Sequence, residues 1–272
     1  MKRRLDVHLF ETGLAKSREQ ARGLIMAGQV YVAGSKAEKA GQFVEEGADV
    51  TVKADALPFV SRGGLKLQKA LDVFPIELAD AVAADIGAST GGFTDCMLQH
   101  GAKRVYAVDV GYGQLDWKLR NDARVVVMER KNARYMEPNW YGDAPLDFAS
   151  IDVSFISLDK MLPPLKRCLA AHGQVVALIK PQFEAGREFV GKHGVVSDAR
   201  VHVDVCTRVV DFAREAGYCV AGLSFSPIKG PKGNVEFLLW LKNFLPETQH
   251  VVAVDASAIE HVVYEAHIAC IS

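Results

Sequence analysis

From about residue 60 onward, short apolar runs alternate with longer stretches in which apolar residues recur every three or four positions. The first pattern is typical of buried strands and the second of helices. The predicted strands are Ala81–Ile86, Val105–Asp109, Val125–Met128, Phe148–Asp152, Val175–Ile179, Cys219–Leu223 and Val235–Trp240. The clearest predicted helices are Gly64–Val73, Leu158–Ala171 and Val201–Ala216. This alternation predicts an α/β fold with a doubly wound, Rossmann-like, seven-stranded sheet.

The end of the chain departs from strict alternation. Only the segment Ser224–Asn234 separates the last two predicted strands. That length is too short for a crossover helix, so these two strands are expected to pair antiparallel. Residues 246–272 are expected to form a terminal helix or tail.

The first 60 residues follow a different pattern. Leu5, Leu9 and Leu14 predict one short helix, and Ser17 is the expected N-cap of a second helix that ends at Gly28. Strands are predicted over 30–32 and 49–52. Proline at position 58 favours an extended linker. We therefore predict a small α+β domain over residues 1–60 and an α/β domain over residues 61–272.

Composition places the chain among ordinary globular proteins. Its 272 residues are 49% hydrophobic and 24% charged, with a mean hydropathy of +0.07, which argues against disordered, collagen-like and coiled-coil classes. No signal-like or membrane-spanning apolar stretch is found, so a cytoplasmic protein without a membrane partner is expected. The five cysteines form no C-x-x-C pair, which argues against a disulfide framework and predicts no metal site.

Charge is distributed unevenly. The formal net charge of the whole chain is -1, but the first 40 residues hold eight Lys and Arg against four Asp and Glu. The candidate RNA-binding residues in this region are Arg3, Arg4, Lys16, Arg18 and Arg22.

The arrangement of these charges makes a solvated helical face the weaker interpretation. The segment RLDVHLFETGLAKSREQARGLIMAGQVYVAG resembles the small RNA-binding module shared by a small-subunit ribosomal protein, tyrosyl-tRNA synthetases and many pseudouridine synthases. The resemblance implies that the basic residues contact RNA phosphates, which would give salt-dependent affinity with little sequence information.

A glycine-rich loop follows the first strand of the sheet. The sequence DIGASTGGF contains Asp85 and the loop residues Gly87, Ala88, Ser89, Gly91 and Gly92. It lacks the second glycine of the dinucleotide fingerprint, since Ser89 stands there, and no nucleoside-triphosphate loop occurs elsewhere. Asp109, which lies 24 residues after Asp85, is placed to accept hydrogen bonds from ribose hydroxyls.

A ribose site without a pyrophosphate site points to S-adenosylmethionine as the cofactor. Its ammonium and sulfonium groups suit a neutral glycine loop beside Asp85. Asn132, after the third strand, is either an adenine contact or an ordinary turn residue.

Four charged residues lie in or next to otherwise apolar segments: Lys66, Asp152, Lys180 and Glu236. Asp152 and Lys180 end the fourth and fifth strands, and the carboxyl ends of such strands line the ligand crevice. We therefore expect Asp152 also to face the cofactor. A lysine at such a position is either a snorkelling edge residue or a general base.

The motifs SRGGLKL, DIGASTGGF, DVSFISL, LIKPQFE and GNVEF together resemble the hemolysin A or TlyA family, whose catalytic half is similar to FtsJ-type rRNA 2′-O-methyltransferases. The resemblance covers essentially the whole chain. It implies that Lys66, Asp152, Lys180 and Glu236 form a catalytic tetrad, and that a methyl group goes to a ribose 2′-hydroxyl, of a cytidine, in ribosomal RNA or ribosomal subunits.

Three alternatives compete with this interpretation. A ribosome-assembly factor could keep the fold and have weak catalysis, although the intact tetrad argues against it. A membrane-lysing toxin, as the family name suggests, would need an export signal or a long amphipathic insertion segment. A pseudouridine synthase would have no use for the glycine loop.

Overall fold

The computed structural model describes residues 2–15, 17–26, 28–37, 39–45, 47–52, 57–142, 144–244 and 254–271. The chain divides into two compact units, Met1–Pro58 and Phe59–Ser272. The first unit has a small hydrophobic core of its own, and the second is built on a seven-stranded sheet.

The N-terminal unit combines short helices with short strands. Its elements are β1 (Lys2–Arg4), α1 (Leu5–Glu11), α2 (Arg18–Met26), β2 (Val30–Val32), β3 (Ser35–Lys36), β4 (Phe43–Glu45) and β5 (Val50–Val52). β2 lies between β3 and β5 in an antiparallel sheet, and β1 pairs with β4. The Gln20 backbone N–H donates to Ser17 Oγ at 3.1 Å, which confirms the expected cap of α2. Leu14, expected on the first helix, lies beyond its end.

The C-terminal unit contains all seven predicted strands. They are β6 (Val82–Ile86), β7 (Arg104–Val108), β8 (Val125–Met128), β9 (Leu146–Ile151), β10 (Leu169–Ile179), β11 (Cys219–Phe225) and β12 (Phe237–Lys242). Their order across the sheet is β11-β12-β10-β9-β6-β7-β8. The five strands β6 to β10 pair in parallel. β12 is antiparallel to β11, as predicted for the last two strands, and it is also antiparallel to β10.

Helices cover both faces of this sheet. They are α3 (Gly63–Val73), α4 (Gly92–Gln99), α5 (Trp117–Arg120), α6 (Leu162–Lys166), α7 (Pro181–Glu184), α8 (Ala199–Glu215) and α9 (Ala256–Ile271). Along β10, Val176 and Leu178 pack in one core with α3 and α4, whereas Val175 and Ala177 pack in the other with α8 and α9. The strands are mostly apolar because the central ones are buried on both faces.

The helix predicted over Leu158–Ala171 is wrong in extent. A 3₁₀ turn over Leu158–Lys160 precedes the short α6, and Leu169 already belongs to β10, where it pairs with Leu146. Two consecutive prolines in α6 lack the N–H that a long helix would use. The predicted terminal helix is α9, which buries Ile259, Val263 and Ala266 against the sheet.

The topology creates a crevice at the carboxyl ends of the central strands. β6, the first strand of the unit, lies between β9 and β7, so the chain order reverses beside it. Loops at the carboxyl ends of β6 and β9 diverge there, which is where open α/β sheets bind ligands. Over the described residues, every helix is too short or too polar to cross a membrane.

Candidate active site

The glycine loop lies at this crevice, between β6 and α4, and its glycines are required sterically. Gly87 has φ +90°, and a Cβ there would lie 2.5 Å from the backbone oxygen of Asp152. Gly91 has φ +94°, and a Cβ there would lie 2.2 Å from Leu119 Cδ1. Larger residues would therefore both strain the backbone and push the loop off its neighbours.

The rest of the loop is held equally tightly. A Cβ on Gly92 would lie 2.7 Å from the Gly64 backbone nitrogen, so α4 begins directly against α3. Ala88 is buried, and Ser89 adopts a left-handed conformation with φ +49°. Such a conformation in a residue with a side chain is uncommon and often marks a functional loop.

Asp85 supports the loop from beneath. Its side chain is 1% exposed; Oδ2 accepts hydrogen bonds from the backbone N–H and hydroxyl of Thr94, and Oδ1 accepts from Ser150 Oγ at 3.0 Å. Burial raises the pKa of Asp85 from 3.8 to about 6. These contacts are those of a residue that positions the start of α4, so its direct contact with a cofactor stays a prediction.

Asp109 follows β7 and faces the same loop. Its Oδ2 accepts a hydrogen bond from the Ser89 backbone N–H at 2.8 Å, and its Oδ1 accepts from the Gly111 N–H at 2.7 Å. Each carboxylate oxygen has a further lone pair. The carboxylate therefore fixes the loop and can still accept from two vicinal hydroxyls.

Asn132 acts at least as a turn residue. Its side-chain oxygen accepts a hydrogen bond from the Arg134 backbone N–H at 3.1 Å and caps the 3₁₀ helix Ala133–Tyr135. Its amide N–H groups are the part of the side chain that could contact a base.

The four predicted catalytic residues come together as a continuous chain of ion pairs. Lys66 Nζ lies 2.6 Å from Glu236 Oε2 and 3.7 Å from Asp152 Oδ2, and Lys180 Nζ pairs with Asp152 Oδ1. Lys66 is on α3, Asp152 and Lys180 directly follow β9 and β10, and Glu236 directly precedes β12.

The tetrad is largely buried, so its charges must balance one another. Lys66, Lys180 and Glu236 are 6%, 8% and 2% exposed, and Asp152 is only partly exposed. Two ammonium groups face two carboxylates, so the formal charge of the tetrad is balanced. Removing one member would leave an uncompensated charge in a poorly solvated position. Lys180 is thus not a snorkelling edge residue.

Two further residues lie near the tetrad, and no local sequence pattern indicates their roles. Phe155 is on the loop after β9, and Glu184 is on the neighbouring helix α7. Phe155 is 88% exposed with φ +64°, and its ring lies 4.9 Å from that of Phe183 on α7. Glu184 accepts hydrogen bonds from Ser157 Oγ at 2.5 Å and from the Leu158 N–H at 2.8 Å. Burial raises the pKa of Glu184. Glu184 thereby clamps the loop that carries Asp152.

The predicted RNA-binding residues of the N-terminal unit are grouped around acidic partners. Arg3 pairs with Glu11 at 2.9 Å, and Arg4, Arg18 and Arg22 all contact Asp6, a residue that the charge pattern of the sequence does not indicate. Lys16 lies outside the described residues. Among the residues that the structure describes, no group of three or more His, Cys, Asp or Glu could hold a metal ion.

The strand order and the glycine loop after β6 define the C-terminal unit as a Rossmann-like methyltransferase. Comparisons with known proteins agree: residues 59–243 match the FtsJ-like methyltransferase family, and residues 3–50 match the S4 domain. The chain therefore belongs to the FtsJ-like methyltransferase family, as its motifs predict, and carries an S4 domain ahead of the catalytic unit.

Three similar proteins extend along nearly all of the chain. YqxC of Bacillus subtilis is 53% identical over 98% of this chain and 94% of that protein. TlyA of Mycobacterium tuberculosis H37Rv, named as a 16S/23S rRNA (cytidine-2′-O)-methyltransferase, is 45% identical over 97% of this chain and 96% of that protein. A solved structure from Streptococcus thermophilus that bears the name hemolysin is 49% identical, with a TM-score of 0.78, over 98% of this chain and 96% of that chain.

Proposed function

We propose that this protein is an S-adenosylmethionine-dependent methyltransferase that modifies the ribose 2′-hydroxyl of a cytidine in ribosomal RNA. The observation that carries the proposal is the continuous ion-pair chain from Glu236 through Lys66 and Asp152 to Lys180 at the crevice of a methyltransferase sheet. The name of the relative TlyA, an rRNA (cytidine-2′-O)-methyltransferase, supports the choice of nucleotide and of RNA.

The residues of the crevice fit the proposed cofactor, which supplies a methyl group already activated by its sulfonium charge. Asp109 would hold the ribose hydroxyls through its remaining lone pairs. The backbone of the loop 87–92 would lie against the amino-acid end, where the absence of side chains at Gly87 and Gly91 permits close approach. Asp152 would face the positive centre, and the amide of Asn132 would contact the adenine.

Lys180 handles the proton. After Lys180 has released its ammonium proton to solvent, its neutral Nζ receives the 2′-hydroxyl proton as the ribose oxygen takes the methyl group from the sulfonium sulfur. Asp152 holds the amine in place and balances the ammonium that results. Ser154 Oγ, 3.4 Å from Lys180 Nζ, provides a further polar contact for the same group. Alignment of the hydroxyl with the activated methyl accounts for a large share of the rate.

Lys66 and Glu236 position the ribose. Their ion pair places an ammonium next to the attacking oxygen, where it stabilises the developing negative charge. Glu236 fixes Lys66 and is itself confined, because a Cβ on Gly230 would lie 2.5 Å from Glu236 Oε1. Phe155, exposed beside the tetrad, offers a ring on which the target base can stack.

The N-terminal unit supplies affinity for ribosomal RNA or ribosomal subunits through its arginines. Phosphate contacts of this kind give tight, salt-dependent binding and little sequence information. The choice of nucleotide then depends on how the RNA enters the catalytic crevice. A ribosomal RNA substrate also implies action in the cytoplasm.

The test is to map ribose methylation in ribosomal RNA from cells with and without this protein. A 2′-O-methyl group blocks alkaline cleavage of the adjacent phosphodiester, so each modified position is read as a gap in the cleavage ladder. We expect at least one cytidine to lose its protection in cells that lack the protein. Identical maps would overturn the proposal and favour an assembly factor.

A further inference from the structure

A buried carboxylate lies at the centre of the basic surface of the N-terminal unit. Asp6 is 0% exposed, and three arginines converge on it. Arg4 Nε and Nη2 donate to its two oxygens at 3.0 and 3.1 Å, Arg22 Nε donates at 3.1 Å, and Arg18 Nη2 lies 3.5 Å away. A single carboxylate thus gathers three guanidinium groups from β1 and α2.

This cluster keeps an excess of positive charge. Three guanidiniums against one carboxylate leave a formal charge of +2. The hydrogen bond from Arg4 is the largest of the influences that lower the pKa of Asp6, so the carboxylate stays charged throughout the physiological range. Arginine side chains otherwise sample many rotamers, and the shared carboxylate removes much of that freedom before any ligand arrives.

The guanidiniums remain available to a ligand. Arg4, Arg18 and Arg22 are about half exposed, and each group has five N–H donors, of which only one or two are directed to Asp6. The Arg4 guanidinium also lies against Gly41, which lines an open depression together with Lys36 and Lys39. The basic surface therefore continues from the arginine cluster to two lysines.

We propose that Asp6 is a positioning residue that assembles Arg4, Arg18 and Arg22 into a preorganised cradle for one phosphate group of the RNA backbone. The inference rests on the proposed function, since it takes the ligand of this unit to be RNA. It adds that an acidic residue increases affinity for an anion. The carboxylate lowers the net charge by one, but it holds three guanidinium groups in the geometry that bidentate phosphate recognition requires.

Charge and position predict opposite results for one substitution. Asp6→Asn raises the net charge of the unit by one, so long-range attraction alone would tighten RNA binding. If Asp6 acts by position, the same change releases the guanidiniums and weakens binding. Glu11→Gln is the matched control, because it makes the same charge change in the same unit at a half-exposed carboxylate that pairs with Arg3, which lies outside the Asp6 cluster.

The experiment measures binding of the full-length protein to deproteinised bacterial ribosomal RNA over a series of salt concentrations. For Asp6→Asn we expect affinity to fall about tenfold near 0.1 M salt, together with a shallower dependence of affinity on salt, because fewer phosphate contacts are made. Glu11→Gln is expected to bind as well as the wild type or slightly better. Asp6→Asn that binds like Glu11→Gln, with an unchanged salt slope, would overturn the inference.

A second variant decides the matter if Asp6→Asn does not fold by circular dichroism. Arg22→Lys keeps the charge at an exposed position but loses the Nε contact with Asp6 and the planar fork. We expect it to weaken RNA binding severalfold, and wild-type affinity would contradict the cradle. The double variant Arg18→Ala, Arg22→Ala distinguishes a failure of the cradle from a failure of the proposed function. If this variant binds RNA as tightly as the wild type, the RNA-binding role of the unit itself is wrong.

Discussion

Lys66 and Glu236 are separated by 170 residues in the chain, yet Lys66 Nζ donates to Glu236 Oε2 at 2.6 Å. Lys66 lies on the first helix of the catalytic unit, and Glu236 lies immediately before the last strand of its sheet. Their contact closes the tetrad and joins the beginning of the unit to its end. The position of the Lys66 ammonium therefore depends on Glu236, a residue that does not itself take part in the proton transfer.

Glu236→Gln tests this dependence. The amide is close in size but cannot balance the Lys66 charge, so we expect kcat to fall about 10- to 100-fold. The affinity for S-adenosylmethionine, measured by calorimetry, should stay within about twofold of wild type. Glu260→Gln, at an exposed position on α9, is the matched control and should be neutral. Unchanged kcat in Glu236→Gln would contradict the positioning role.

Glu184→Gln tests the clamp on the loop after β9. The carboxylate accepts from Ser157 and Leu158, and the amide weakens the first of these contacts. We expect kcat to fall about 3- to 10-fold because Asp152 is held less firmly. Amide hydrogen exchange over residues 152–158 should accelerate. Glu188→Gln, on the neighbouring exposed turn, should change neither measurement.

Phe155→Ala separates a role in binding from a role in folding. An 88% exposed ring contributes little to stability, so the melting temperature should be unchanged. If the target base stacks on this ring, kcat/KM for RNA should fall by a factor of about 10 to 100. Phe189→Ala removes another exposed ring and is the control. A drop of equal size in both variants would count against specific stacking.

Asp85→Asn should alter how stability depends on pH. The folded-state pKa of about 6 lies above the ordinary 3.8, so the protonated acid contributes stability that is fully present below 3.8 and is lost as pH rises through 6. The difference between the two values corresponds to about 3 kcal/mol. Relative to wild type, Asp85→Asn should gain a free energy of unfolding of about that size between pH 4 and 7.

Chemical denaturation of both proteins across this pH range measures the change. Asp204→Asn, at an exposed position on α8, provides the matched control. A constant difference in the free energy of unfolding between Asp85→Asn and wild type would show that Asp85 does not titrate as proposed.

The strands of the catalytic unit are predictable because they are short runs of β-branched and apolar residues, most of them buried in the sheet. Val125–Met128 is a continuous β-branched and apolar run that no surface helix would use, and its bounds are the same in the structure. The spacing of Leu169–Ala171 predicts a helix because local spacing cannot register the pairing of Leu169 with Leu146. The strand β1 escapes prediction since Lys2–Arg4 is charged and lies at the edge of a two-stranded sheet.

Some residues of the site are also predictable from the sequence pattern, whereas others are not. Asp152 and Lys180 are predicted at the crevice from their positions at strand ends, which is a consequence of topology. Lys66 and Glu236 join them only through the family resemblance, because no local pattern encodes a contact across 170 residues. Asp6 lies within the RNA-binding motif, but an acidic residue in a basic segment gives no signal of burial until α1 and α2 pack together.

The most direct measurement is transfer of labelled methyl from S-adenosylmethionine to bacterial ribosomal RNA or subunits by the purified protein, followed by digestion to nucleosides. We expect the label in 2′-O-methylcytidine with the wild type, and at least about a 100-fold lower rate with Lys180→Met. Lys160→Met, at an exposed lysine, should retain full activity. Label on a base, or a Lys180→Met variant as active as wild type, would contradict the account.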